Sequence, residues 1–206
     1  MSIPYQDSGR TAQKQRTREA LVGAARDLVA SGETPTVEQV ARQAGVSRTT
    51  AYRYFPTQRS LLTAAHPETG ATTLLASEPP ADPAARLDAV VAAFTELIVG
   101  TEAQQRTMLR LSLESTTAER AALPLRQGRA IGWFTEALEP LRGELTDADL
   151  HALVLAIRAT VGIEALVWLI DVAGLPRADA VRLMRWSARA LLAAATTAGP
   201  PPHPAT

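Results

Sequence analysis

Apolar residues recur along most of this chain three and four positions apart, the spacing of one helical face, and no segment alternates convincingly as a strand would. Residues 11–31 place Leu21, Ala24, Ala25 and Leu28 on one stripe, with Gly32 as a stop just past the end. After Pro35, Thr36 opens a second helix. Its hydroxyl and the amide of Gln39 have capping-box spacing, in which each side chain serves the other residue's free backbone N–H. This helix ends at Ala44-Gly45. Ser47 caps a third helix ending near Phe55-Pro56, and Thr57 caps a fourth that runs through Leu61 and Leu62. Residues 66–83, HPETGATTLLASEPPADP, hold four prolines and no sustained periodicity, which marks a module boundary. Beyond them the pattern predicts helices over 84–99, 102–117, 119–142, 147–173 and 177–197, then a tail, GPPPHPAT, with no means of packing. The fold class is all-α. A first domain covers residues 1–65, a linker 66–83, a second domain 84–198 and the tail 199–206.

Residues 147–173 are apolar around most of a helix (Leu150, Leu153, Val154, Ile157, Val161, Leu166, Trp168, Ile170), so more than one side must be covered. Asp147 and Asp149 suit its N-terminus by opposing the helix dipole. The last helix carries one apolar side of Val181, Met184, Ala188, Leu191 and Ala195 and another of Leu183, Trp186, Ala190 and Ala194. Arg182, Arg185 and Arg189 make a third, solvated stripe. Two such helices can complete their own domain and still offer a seam to a second copy, a four-helix homodimer interface near 147–173 and 177–197.

Composition narrows the class of function. The 206 residues are 46% hydrophobic and 20% charged, as in a globular protein, and contain no cysteine, which excludes disulfides and thiolate chemistry. The start has no basic-then-apolar leader pattern, and Arg158, Glu164 and Asp171 interrupt the most apolar stretch, so a cytoplasmic protein without membrane contact is expected. His66, His151 and His203 are scattered, and no metal-ligand spacing, nucleophile elbow or phosphate loop occurs. An enzyme, a metal site and a cofactor are therefore not expected. Net charge is zero but unevenly spread. Residues 1–60 hold nine basic residues against five acids, the remainder twelve against sixteen. A basic first third points to a polyanion partner.

The segment VSRTTAYRYF, residues 46–55, carries three of the nine aromatic residues with two arginines and three hydroxyls. Two short helices joined through Ala44-Gly45-Val46 form a helix-turn-helix. Gly45 supplies a positive φ, Ala41 lets the helices approach, and Val37, Val40, Ala44, Val46, Ala51 and Phe55 fix the crossing. Arg48, Thr49, Thr50, Tyr52 and Arg53 remain on the other side, with Tyr54 at its margin. A helix in a major groove needs hydroxyls and phenols for phosphate oxygens and forked donors for base edges.

TVEQVARQAGVSRTTAYRYFPTQRSLLTAA resembles the DNA-binding segment of the tetracycline-repressor-like (TetR) regulators, and the resemblance covers about residues 11–65. It implies that Ser47, Thr50, Tyr52 and Tyr54 contact the DNA backbone, that Arg48, Thr49 and Arg53 read bases, and that Thr36 meets a phosphate. Lys14, Arg16 and Arg18 precede and open the first helix and are candidates for lying along the phosphates. The family usually has a lysine at the position of Gln58. The resemblance also implies a homodimer on a near-palindromic double-stranded operator, repressing until a small-molecule effector favours a geometry poorly matched to DNA. Candidate walls of the effector cavity are Phe94, Met108, Trp133, Phe134 and Trp168, with Arg110, Glu114, His151, Arg158 and Glu164 as polar anchors. The alternative is a small-molecule binding protein with weakened DNA binding, to which Gln58 is the only pointer.

Overall fold

The computed structural model describes residues 5–66, 71–116 and 128–199, with side chains from residue 11 onward. Every regular element among them is helical. These are α1 (Tyr5–Ala30), α2 (Val37–Gln43), α3 (Arg48–Tyr54), α4 (Gln58–Ala65), α5 (Pro83–Gly100), α6 (Glu102–Glu114), α7 (Arg129–Ala137), α8 (Asp147–Thr160), α9 (Ile163–Val167) and α10 (Arg177–Ala198). A 3-10 turn, Glu139–Gly143, follows α7, and one wide helical turn, Trp168–Val172, follows α9. The first helix starts earlier than its apolar stripe suggests. The beginning of the helix expected over 119–142, and all but the first residue of the tail, lie outside the described residues.

The chain forms two compact units. One comprises the described residues up to 66 together with 103–116, the other 71–102 and 128–199. Helix α6, expected in the second domain, thus belongs from Ala103 onward to the first. Two observations account for this. Met108 and Leu111 are buried in one cluster with Val29 and Leu62, and Arg59 Nη1 donates to the Ser115 hydroxyl at 2.6 Å. The remainder of this unit's core includes Leu21, Ala25, Val40, Ala41, Ala51, Phe55 and Leu61, drawn from α1 to α4 and the residue after α3.

In the second unit α10 packs on α5 and α8, and α8 packs on α7. Asp82 caps α5 by accepting from Ala85 N at 2.9 Å, and Pro83 sits at the first helical position, where its missing N–H costs nothing. Arg86 finishes α7, donating to the carbonyls of Ala137 at 2.9 Å and Glu136 at 2.8 Å. Phe94 receives Trp133 and Phe134 edge-on, with ring centroids 6.0 and 5.6 Å away.

The 147–173 stretch is not one helix. Residues 147–172 have the length and composition to cross a membrane, but the chain breaks at Val161-Gly162, where Gly162 is fully extended. Arg158 folds back over this break. Its Nη1 donates to Val161 O at 3.0 Å and to Glu164 Oε2 at 3.3 Å, and its guanidinium lies 5.5 Å from the Phe94 ring centroid. A Cβ on residue 162 would stand 2.0 Å from Arg158 Nη1, so the glycine makes room for the arginine.

Two expectations for the last helix are corrected. Its buried stripe is Ala180, Met184, Ala188, Leu192 and Ala195, with Val181 and Leu191 only half-buried. The arginine stripe is also not simply solvated. Arg185 and Arg189 both donate to Asp88 on α5, at 2.6 and 3.1 Å for the closest contacts, while Arg182 pairs with Asp179. The hydrogen bond from Arg185, followed by the charges of both arginines, holds the Asp88 carboxyl below the usual carboxylate range. A lowered carboxylate stabilises the fold above its unfolded pKa, and that contribution is lost as pH falls through the folded value. Asp88→Asn is therefore expected to destabilise this unit by about 1 kcal/mol near neutrality, the partial exposure limiting the effect. The difference from the parent protein should shrink in urea titrations carried below about pH 4.

Candidate nucleic-acid interface

Helices α2 and α3 have seven residues each, too short to persist alone, and local caps together with the core hold them. Gln39 N donates to Thr36 Oγ1 at 3.2 Å and Thr36 N to Gln39 Oε1 at 2.7 Å, completing the capping box. Ser47 Oγ accepts from Thr50 N at 3.2 Å and donates to Thr50 Oγ1 at 2.9 Å. Gly45 turns the chain with φ +65°. Ala51 and Phe55 are buried, and Ala44, Val46, Tyr52 and Tyr54 pack around the same core.

This packing leaves one face of α3 outward. Ser47, Arg48, Thr49 and Arg53 are exposed, and Thr50, Tyr52 and Tyr54 are half-buried at its edges. Arg53 stacks on Tyr54 with 5.7 Å between guanidinium and ring centroid. Arg48 stacks on Tyr52 at 5.6 Å. Thr36 is exposed at the start of α2. On α1, Lys14 and Arg16 are exposed, the latter bound to Gln13 Oε1 at 3.0 Å, and Arg18 lies over Phe55 at 5.7 Å. Gln58 is engaged locally: its Nε2 donates to the carbonyls of Thr34 and Pro35 at 3.2 and 3.0 Å, tying α4 to the loop before α2.

A residue missed in the sequence binds two side chains of this face. Glu38, the second residue of α2, accepts the Tyr52 hydroxyl at 2.7 Å and Arg48 Nη2 at 3.0 Å. The Tyr52 hydrogen bond is the main reason its carboxyl sits below the ordinary range, and the same bond pushes the Tyr52 phenol up. An acid on α2 set against the two arginines of α3 was the available signal.

Residues 21–65 match the sequence profile of the bacterial regulatory proteins of the tetR family. The match is confined to this segment, which is therefore similar to the N-terminal domain of the tetR-family regulators. The fold of the chain is shared with solved TetR-type structures. One is a TetR transcriptional regulator from Rhodococcus sp. RHA1, 23% identical over 86% of this chain and 96% of that one, with a TM-score of 0.57. Another is HlyIIR, a hemolysin II transcriptional regulator, 16% identical over 82% and 97% with a TM-score of 0.50. No curated protein is detectably similar in sequence. The TetR-type helix-turn-helix of this chain is thus a DNA-binding element, and the helical second unit matches the all-α architecture of those regulators.

The residues expected to line an effector cavity are not all brought together. Phe94, Trp133 and Phe134 are buried against one another, with Arg158 on Phe94 and Glu164 on Arg158. Trp168 and Glu164 border a groove of about 370 Å³ between α8, α9 and α10, together with Thr160, Leu183, Met184 and Ser187. Sequence reasoning did not single out Thr160 or Ser187. His151 is exposed. Met108, Arg110 and Glu114 belong to the first unit, where Met108 is core and Arg110 pairs with Glu114 at 3.2 Å.

Proposed function

We propose that this chain is a cytoplasmic, homodimeric repressor that binds a near-palindromic operator and releases it when a small molecule occupies the second unit. The observation that carries the reading is the outward face of α3. Arg48, Thr49 and Arg53 are exposed there while Ala51 and Phe55 anchor the same helix from behind. Arg48, Thr49 and Arg53 are assigned to base edges, and Ser47, Thr50, Tyr54 and Thr36 to phosphates, with Lys14, Arg16 and Arg18 along the backbone. A single helix-turn-helix reads half a site, so two copies are needed for a palindrome. The exposed apolar side chains Trp168, Val172, Leu183 and Trp186 support a self-association seam on the second unit. The 370 Å³ groove falls in the size range of small-molecule sites and supports an effector there. Binding would then oppose DNA by its differential affinity for the two geometries.

The test is selection of duplexes from a randomised pool by the purified protein, with sedimentation to establish the number of copies bound. Recovery of a two-fold symmetric site bound by a dimer is expected; recovery of no preferred sequence would remove the proposal. On the recovered site, Arg48→Ala and Arg53→Ala are each expected to cost about 1–3 kcal/mol and to relax sequence choice at the contacted position. If both variants keep the full preference, the assignment of base readers is wrong.

A further inference from the structure

Glu38 has no place among the DNA contacts just assigned, yet it holds Arg48, one of those contacts, and Tyr52, which the family resemblance places on the DNA backbone. Its Oε1 accepts the Tyr52 hydroxyl at 2.7 Å and Arg48 Nη2 at 3.0 Å, while the Arg48 guanidinium rests on the Tyr52 ring. A phenol has a single proton to donate. While that proton is on Glu38, Tyr52 cannot give it to a phosphate, whatever its position on the face. A guanidinium carries five N–H groups, so the bond to Glu38 leaves Arg48 enough donors for a two-bond contact with guanine O6 and N7.

We propose that Glu38 is a specificity-determining residue of the DNA-binding surface, positioning Arg48 on Tyr52 for base reading and withholding both groups from indiscriminate phosphate contact. The inference rests on the DNA-binding role proposed above. Attraction to any duplex comes almost wholly from phosphates neutralised by cations, and a carboxylate beside Arg48 lowers that attraction for every sequence alike. A base that satisfies the free edge of a guanidinium already held in place recovers the loss, because less side-chain freedom is given up on contact. The difference between matched and mismatched DNA is thereby widened by a repulsive element, not by an added attraction. Glu38 performs this role ionised, and its lowered pKa is consistent with that. Arg48 is 73% exposed, so the ion pair contributes little to folding and can be removed without unfolding the domain.

The experiment uses the full chain, a duplex selected by the wild-type protein and a scrambled duplex of equal length, titrated across salt concentrations. Glu38→Gln is expected to bind the scrambled duplex about three- to tenfold more tightly and to steepen its salt dependence by about one phosphate contact. The preference for the selected duplex should fall by a similar factor. Tyr52→Phe provides the second arm. In the wild-type background it should reduce the preference, and in the Glu38→Gln background it should change little further, a coupling that a double-mutant cycle reads directly. If Glu38→Gln keeps the wild-type preference, or if Tyr52→Phe weakens both duplexes equally in both backgrounds, Glu38 is a bystander and Tyr52 a phosphate donor. A wild-type protein that selects no sequence removes the function proposed above and this inference with it, an outcome seen before any variant is made.

Discussion

Leu61→Ala is expected to abolish DNA binding although the side chain is fully buried and forms no part of α3's outer face. Leu61 is fully buried in the core that joins α1 through α4. Removing a buried leucine side chain costs about 2–5 kcal/mol, a large part of the roughly 5–15 kcal/mol that a typical domain has in total. Two helices of seven residues have no independent stability with which to survive that loss. The chain offers a convenient separation of signals. Its three tryptophans, Trp133, Trp168 and Trp186, all lie in the second unit. The variant should therefore shift an early part of the far-ultraviolet circular dichroism transition while leaving tryptophan fluorescence near its wild-type midpoint. A matching shift in both signals would mean that the two units unfold as one block.

Phe134→Ala should give the converse result. The ring is fully buried and meets Phe94 edge-on at 89°, so its removal opens a void under the residue that Arg158 covers. A loss of about 3–5 kcal/mol is expected, against less than about 1.5 kcal/mol for Phe134→Leu, which refills most of the volume. Tryptophan fluorescence should report the loss at lower urea, because Trp133 packs on the same Phe94 ring. Equal effects from alanine and leucine would show that the aromatic cluster is loosely packed.

The parts of this protein that sequence reasoning recovered are those written in short-range spacing. Thr36 with Gln39, Ser47 with Thr50 and Thr57 with Ser60 are three residues apart, and a cap is a local contact. The turn at Gly45 needs one residue type at one place. Contacts between distant positions were not legible. Glu38 lies 14 residues from Tyr52, and Asp88 about a hundred from the two arginines that hold it, so Arg185 and Arg189 looked merely solvated. The break at Gly162 was hidden because the residues around it are uniformly apolar, and the arginine that occupies the gap precedes it by four positions. Alanine-rich α10 was read one position out of register in part, since Leu191 and Leu192 fit the pattern equally well and only packing places Leu192 inside.

Helix α6 lends Met108, Leu111 and Ser115 to the DNA-binding unit from the far side of more than thirty intervening residues. A ribosome must therefore make the intervening residues and α6 as well before that unit has all its parts. A protease nick in the stretch between α4 and α5 would cut inside what this unit needs, liberating α1 to α4 with the Val29 and Leu62 side chains stripped of their cover.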